Sequence, residues 1–201
     1  MKGGATKAVL VSAHPCADSY TCAIASAALR GLATSGHDVT HLDLYGLDFV
    51  TAMTKDEHDA YKAQEPARDA MVREHGEVVR NASLLVFVYP TWWSGPPAVL
   101  KGWLERVLVP GVGFTFDSSG RVEPGLTNVR RIVGVSTYGS PWTYVKLVND
   151  NGRRMLMRAL RMVCGRRTGT TWLGLYSVDT TGANERAAFL DRVEHAMAHL
   201  T

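Results

Sequence analysis

Cysteine is scarce in this sequence, with three residues in 201: Cys16, Cys22 and Cys164. An odd count without a Cys-x-x-Cys pair indicates neither a disulfide framework nor a thiolate zinc site. Long apolar runs are missing too, and none approaches the ~20 residues that span a bilayer. Met1 to Ala5 lacks the basic-then-apolar order of a secretory leader, so the expected location is the cytoplasm. Charge of one sign is in short supply. The net charge is +3, and the pairs Arg130-Arg131, Arg153-Arg154 and Arg166-Arg167 are scattered rather than gathered in a stripe. With no zinc-finger spacing and no aromatic RNA-binding signature, no nucleic-acid partner is expected. Those pairs read as solvated helix ends. The glycine fingerprints of phosphate binding, G-x-G-x-x-G and G-K-S/T, are also absent.

What is present is ordinary for a globular protein: 46% apolar and 20% charged residues. A chain of this length buries a sizeable core without metals or disulfides, and at roughly 150 residues per domain it fits one domain, 1–201. Lys7–Ala13 is a short apolar run that reads as a buried strand. Ser19 then precedes a helical stretch stopped by Gly36. Asp38–Leu44 alternates as a second strand. Thr54-Lys55-Asp56-Glu57 has capping-box spacing and opens a polar helical region that runs to about Asn81. Ser83–Tyr89 is apolar almost throughout, as a strand covered on both faces should be.

Pro96–Leu108 reads as a helix with proline in its first turn. Its apolar residues, Val99, Leu100, Trp103, Leu104, Val107 and Leu108, cover more than the ~100° stripe one core requires, a hint of self-association or simply of deep burial. An excursion with turn signals at Ser119-Gly120 and Pro124-Gly125 follows. Arg131–Thr137 is the fourth strand, Thr143–Cys164 a helix with a break near Asn151-Gly152, Thr170–Val178 the fifth strand and Asn184–Leu200 the last helix. Alternating strands and helices argue a doubly wound, five-stranded parallel sheet with helices on both faces.

In such sheets ligands sit beyond the carboxyl ends of the strands, which singles out three loops. The first, His14–Tyr20, puts Ser19 and Thr21 at a helix N-terminus, where amides and the helix dipole suit a phosphate; Ser19 serves equally as an ordinary cap. Cys16 in this loop is a reactive thiol or an inert small residue. The second, Pro90–Gly95, carries Trp92 and Trp93 side by side after a buried strand. Two adjacent indoles cannot both point into one core, and their flat faces suit a planar ligand with polar edges. The third, Tyr138–Tyr144, again mixes glycine, small polar and aromatic residues.

These loops, and above all the run GPPAVLKGWLERVLVPGVGFTF between Gly95 and Phe116, resemble the NAD(P)H dehydrogenase (quinone) family of flavodoxin-like enzymes. That family includes the eukaryotic DT-diaphorases and bacterial modulators of drug activity. The resemblance implies a flavodoxin-like sheet of order 2-1-3-4-5, a bound flavin (FAD, with FMN the alternative), and NAD(P)H as co-substrate. The mild positive charge suits that anionic nicotinamide compound. His14, Ser19, Tyr20 and Thr21 match the family's phosphate-holding motif. Pro90, Thr91, Trp92, Trp93 and Ser94 match the loop against the isoalloxazine, although Trp92 and Ser94 depart from the animal pattern Pro-Leu-Gln-Trp-Phe. Thr137, Tyr138, Gly139 and Ser140 match the loop beside the pyrimidine side of the ring. Phe114 and Phe116 fall where the family has two substrate-lining tyrosines.

Tyr144 matches a tyrosine that works with a histidine six residues later to stabilise charge on the reduced flavin. This chain has Asp150 at that later position, which reads as a surface aspartate after a helix break. The implied activity is ping-pong transfer of hydride from NAD(P)H through the flavin to a quinone or similar aromatic acceptor, by a homodimer. Two other readings are a flavin-binding electron carrier and a regulatory subunit of a membrane transporter.

Overall fold

Five segments form one parallel sheet: β1 (Lys7–Ser12), β2 (Asp38–Asp43), β3 (Leu84–Pro90), β6 (Arg131–Thr137) and β7 (Gly169–Leu175). In this computed structural model, which describes residues 6–200, they pair in the order β2-β1-β3-β6-β7. The expected order 2-1-3-4-5 is therefore observed, counting sheet strands along the chain. Successive residues of a strand point to opposite faces, and the core divides accordingly. Val9, Val11, Leu85 and Phe87 face one side; Ala8, Leu10, Leu84 and Val86 face the other. All seven residues of β3 are buried, which explains its unbroken apolar sequence.

Helices α1 (Tyr20–Thr34) and α7 (Ala183–Ala198) cover the second face through Ile24, Leu32, Phe189, Val193 and Met197. They approach closely at Gly31, where an added Cβ would lie 2.3 Å from the carbonyl oxygen of Glu194. The first face is covered by α3 (Ala70–Arg80), α4 (Ala98–Val107) and a π-helical stretch, Met155–Leu160, which continues α6 (Asn151–Arg154). Gly102 of α4 lies against the backbone of Thr51, with its added Cβ 2.4 Å from that carbonyl oxygen. Trp103 beside it is fully buried and donates to Nδ1 of His75 at 3.1 Å.

The broad apolar arc of α4 is thus spent inside its own chain. Val99, Leu100, Trp103 and Val107 are buried, while Leu104 and Leu108 pack on the same cluster. The polar region after Thr54 is two helices, α2 (Lys55–Ala63) and α3. Gln64 caps the first in the left-handed region, at φ 57°, and Pro66 resists a helical continuation. The expected capping box closes α2: Glu57 N donates to Thr54 Oγ1 and Thr54 N to Glu57 Oε2. The excursion holds an antiparallel hairpin of β4 (Phe114–Phe116) and β5 (Val122–Pro124). The helix after β6 breaks slightly earlier than expected. α5 (Trp142–Leu147) ends before Asn149 and Asp150, both at positive φ. No helix among the described residues is long and apolar enough to cross a membrane.

Candidate functional site

Parallel registers bring Ser12, Pro90, Thr137 and Leu175 to the same edge of the sheet. Ser12 pairs with Val88, Pro90 with Thr137, and Thr137 with Leu175. The loops that follow β1, β3 and β6 therefore meet there. In the first, Ser19 caps α1 by accepting from Cys22 N at 3.2 Å. The amides of Tyr20 and Thr21 have no intrahelical acceptor, as in any first turn, and stand at the positive end of a 15-residue helix. His14 Nδ1 lies 3.1 Å from Cys16 N and 3.2 Å from Cys16 O, which ties the ring to its own loop through that nitrogen. Its ring lies 6.0 Å from that of Trp92, joining the first loop to the second. Tyr20 turns away: its hydroxyl donates to Arg186 O in α7 at 2.8 Å, and burial pushes its phenol up to about 12.

The second loop is a reversed turn. Trp92 and Gly95 exchange both backbone hydrogen bonds, 2.9 and 3.0 Å, and the central residues Trp93 and Ser94 both have positive φ, 48° and 59°. Turns of this type favour Asn-Gly. A tryptophan and a serine there store strain of order 1–3 kcal/mol each, which persists when the surroundings fix it and is concentrated at functional sites. The turn is anchored below by Thr91, whose N–H donates to Thr137 O at 2.8 Å and whose Oγ1 lies 2.8 Å from Ser136 Oγ. Trp93 is fully exposed, and Trp92, Trp142 and Tyr144 are at least two-fifths exposed. Large aromatics grouped in solvent on neighbouring loops are an exposure of the kind that accompanies interaction sites.

Between these loops lies an open cavity of about 260 Å³, lined by Thr91, Trp93, Ser94, Tyr138, Gly139, Ser140 and Tyr144. Val145, Val148 and Asp150 complete its wall. The Tyr138 side chain is buried and stacks on Tyr176, with centroids 4.6 Å apart. Its hydroxyl donates to Asp150 Oδ1 at 3.0 Å. Burial, and next the neighbouring Asp150, push this phenol far above its ordinary range, so it stays a donor. Asp150 is consequently no ordinary surface aspartate. Its side chain is 15% exposed and its backbone is left-handed at φ 44°, a conformation that Asp and Asn tolerate better than most residues. Tyr89 reaches the same region from β3, and its buried hydroxyl has no hydrogen-bond partner among the described residues.

The site residues expected from the sequence separate into groups. Thr91, Trp93, Ser94, Tyr138, Gly139, Ser140 and Tyr144 share the cavity wall, and Trp92 flanks it beside His14. Pro90 and Thr137 are buried ladder partners beneath. Ser19, Tyr20 and Thr21 form the separate helix entrance. Phe114 and Phe116 do not line this cavity. They lie on the β4–β5 hairpin, where Phe114 meets Tyr61 at 6.3 Å and Phe116 at 5.7 Å. Nothing in the sequence signals Val145 or Val148, and Asp150, at the position of the family histidine, reads there as a surface residue rather than as the acceptor of Tyr138. A slot with aromatic walls, backbone polar edges and a helix N-terminus alongside fits a flat heteroaromatic ligand that carries phosphate.

A family model described as the flavodoxin-like fold matches residues 6–200. Ribosyldihydronicotinamide dehydrogenase (quinone) of Pongo abelii is 31% identical over 169 residues, 75% of this chain and 71% of the relative. The NAD(P)H:quinone oxidoreductase from Methanothermobacter marburgensis has a similar structure, with TM-score 0.85 at 24% identity, covering 98% of this chain and 100% of that one. An FMN-dependent NADH-azoreductase from Bacillus anthracis str. Ames Ancestor, solved in complex with FMN, gives TM-score 0.72 at 15% identity over 96% of this chain and 98% of the other. At those identities the two structures establish the fold alone. The family match and the first relative go further: this chain belongs to the flavodoxin-like-fold family and is related, at moderate identity, to its NAD(P)H:quinone-type oxidoreductases.

Proposed function

We propose that this chain is a flavin-dependent oxidoreductase that moves reducing equivalents from NAD(P)H to a quinone or similar aromatic acceptor by a ping-pong sequence, as a cytoplasmic homodimer with one domain per chain. The observation that carries the reading is one aromatic-walled cavity between the loops after β3 and β6, with the loop after β1 joined to its rim through the His14–Trp92 contact. A bound flavin, FAD or FMN, supplies the hydride relay between the two substrates. The chain's own residues do the rest. The α1 amides with Ser19 hold phosphate at the helix entrance, and the His14 ring stands on the same side. The strained Trp92–Ser94 turn holds its aromatic faces and amides ready for the ring, so little ordering is needed on binding. The Gly139–Ser140 segment supplies polar edges, and the Tyr144 hydroxyl is available as a donor where negative charge develops. One open cavity shared by both substrates in turn accords with alternating occupancy.

The purified protein is expected to be yellow, to lose its flavin absorbance anaerobically on addition of NADH or NADPH, and to reduce benzoquinone with multiple turnovers. Flavin without turnover would identify an electron carrier or a regulatory subunit instead. A colourless protein that takes up neither FAD nor FMN would end the proposal.

The placement of Phe114 and Phe116 supports the dimer. If they line a substrate site, as the resemblance implies, they do so in a second copy, because their own cavity lacks them. Light scattering at micromolar concentration should give about twice the chain mass. A monomer with full turnover would remove these phenylalanines from the site.

A further inference from the structure

A second cavity, of about 440 Å³, lies directly beside the aromatic one, and its wall carries Lys146, Arg153, Arg154, Arg158 and Arg161. Asp150 is its one carboxylate, and that group already accepts from Tyr138 and sits 4.0 Å from Arg153. No described carboxylate pairs with Lys146, Arg154, Arg158 or Arg161 within 4.0 Å. Lys146 lies over the Trp142 ring at 4.5 Å, and Arg161 Nε donates to Thr168 O at 2.9 Å. Five cations around one hollow repel one another, and an anion seated among them removes that cost. The segment that presents them is unusual as well. Arg158 belongs to the π-helical stretch Met155–Leu160, which α6 feeds with Arg153 and Arg154. Such stretches are rare and are frequent at functional sites.

The two cavities share Val145 and Asp150 as a common wall. One ligand can therefore place an aromatic end against Tyr144 and an anionic end among the arginines. We infer that the basic cavity binds the ribose 2′-phosphate of NADPH, making the phosphorylated dinucleotide the preferred reductant. The identity of the ligand rests on the oxidoreductase reading above; the anion site rests on the cavity itself. Guanidinium forks match phosphate oxygens in geometry as well as charge. A site for NADH would instead offer a carboxylate to accept from the ribose 2′-hydroxyl, and the only carboxylate here is engaged by Tyr138.

The test uses the flavin-loaded protein and two probes, adenosine 2′,5′-bisphosphate and adenosine 5′-monophosphate, titrated by calorimetry at low and at moderate salt. The bisphosphate should bind at least tenfold more tightly than the monophosphate. The double variant Arg153→Gln/Arg158→Gln, checked for an unchanged circular dichroism spectrum and melting temperature, should lose about tenfold in bisphosphate affinity and much of the salt dependence. In steady state the same variant should raise KM for NADPH about tenfold and collapse the preference over NADH. Equal affinity for the two probes, or bisphosphate binding untouched in the folded variant, overturns the inference even if NAD(P)H is oxidised. Selective bisphosphate binding without any NAD(P)H oxidation keeps the phosphate site and sinks the oxidoreductase reading.

Discussion

Alanine at position 106 is expected to lower the unfolding free energy by about 3–5 kcal/mol, the usual consequence of removing one partner from a buried ion pair. The Arg106 side chain is 4% exposed and that of its partner Glu57 is 9% exposed. Arg106 Nε donates to Glu57 Oε1 at 3.0 Å, Nη2 to the same oxygen and to Asp69 Oδ2 at 3.2 Å, and Nη1 to Val50 O. Its plane also lies 5.2 Å from the Phe49 ring. One side chain on α4 thus ties together the loop after β2, the first turn of α2 and the cap of α3. Its loss leaves the Glu57 carboxylate buried without its cation. Arg106→Lys should recover only part of the stability, because an ammonium cannot reproduce the fork. Denaturant titration checks the value, and a loss under 1 kcal/mol would show that the pair contributes nothing net.

The same cluster sets the response to acid. Hydrogen bonds from Arg106 and Thr54 hold the Glu57 carboxyl below its ordinary value despite its burial. The Val72 amide is the leading cause of the same lowering in Asp69, and Arg106 adds to it. Burial lowers His75, whose Nδ1 must stay unprotonated to accept from Trp103. All three groups bind protons less readily when folded than when unfolded. Their stabilisation is complete above the unfolded values and is lost as pH falls. Stability should begin to decline below about pH 6.5 through His75 and fall more steeply below about pH 4.5 through Glu57 and then Asp69. Melting temperatures from pH 8 to pH 3 test this order, and Arg106→Ala should flatten the acidic limb.

The second large effect is kinetic. Tyr144→Phe is expected to slow reduction by NAD(P)H about tenfold while leaving flavin retention nearly intact. Loss of a principal charge-stabilising donor costs roughly 10²–10³ in rate, and on the proposed reading the backbone amides of the Gly139–Ser140 segment share the task. Asp150→Asn is the contrast. Asparagine tolerates the left-handed backbone and still accepts from Tyr138, so the substitution removes only a negative charge beside the cavity. Reduction should then become a few-fold faster, because a like charge no longer opposes the charge arriving at the ring, and the flavin midpoint potential should rise. Stopped-flow reduction and a redox titration of both variants measure this. A wild-type rate in Tyr144→Phe with a slow Asp150→Asn would transfer the catalytic role to Asp150.

By itself the sequence determined the order of strands and helices, because burial on a strand or helix face imposes a period that is read within ten residues. It determined the caps at Ser19 and Thr54 for the same reason: their hydrogen bonds span three residues. It also marked the three loops that meet at the sheet edge, since parallel connections place them there. Tertiary structure alone decided the rest. The Arg106–Glu57 bond joins residues 49 apart, and nothing near Arg106 distinguishes it from the exposed Lys101 earlier in the same helix. Tyr20 and Tyr138 match binding loops in sequence, yet both rings turn inward, toward Arg186 and Asp150. Arg153 and Arg154 read in sequence as one more solvated helix end; a π-helical stretch and the α5 break gather them with Lys146, Arg158 and Arg161 around one hollow. A linear pattern records which residues avoid water. Which buried polar group meets which partner depends on how the loops pack, and that is settled only when the chain closes on itself.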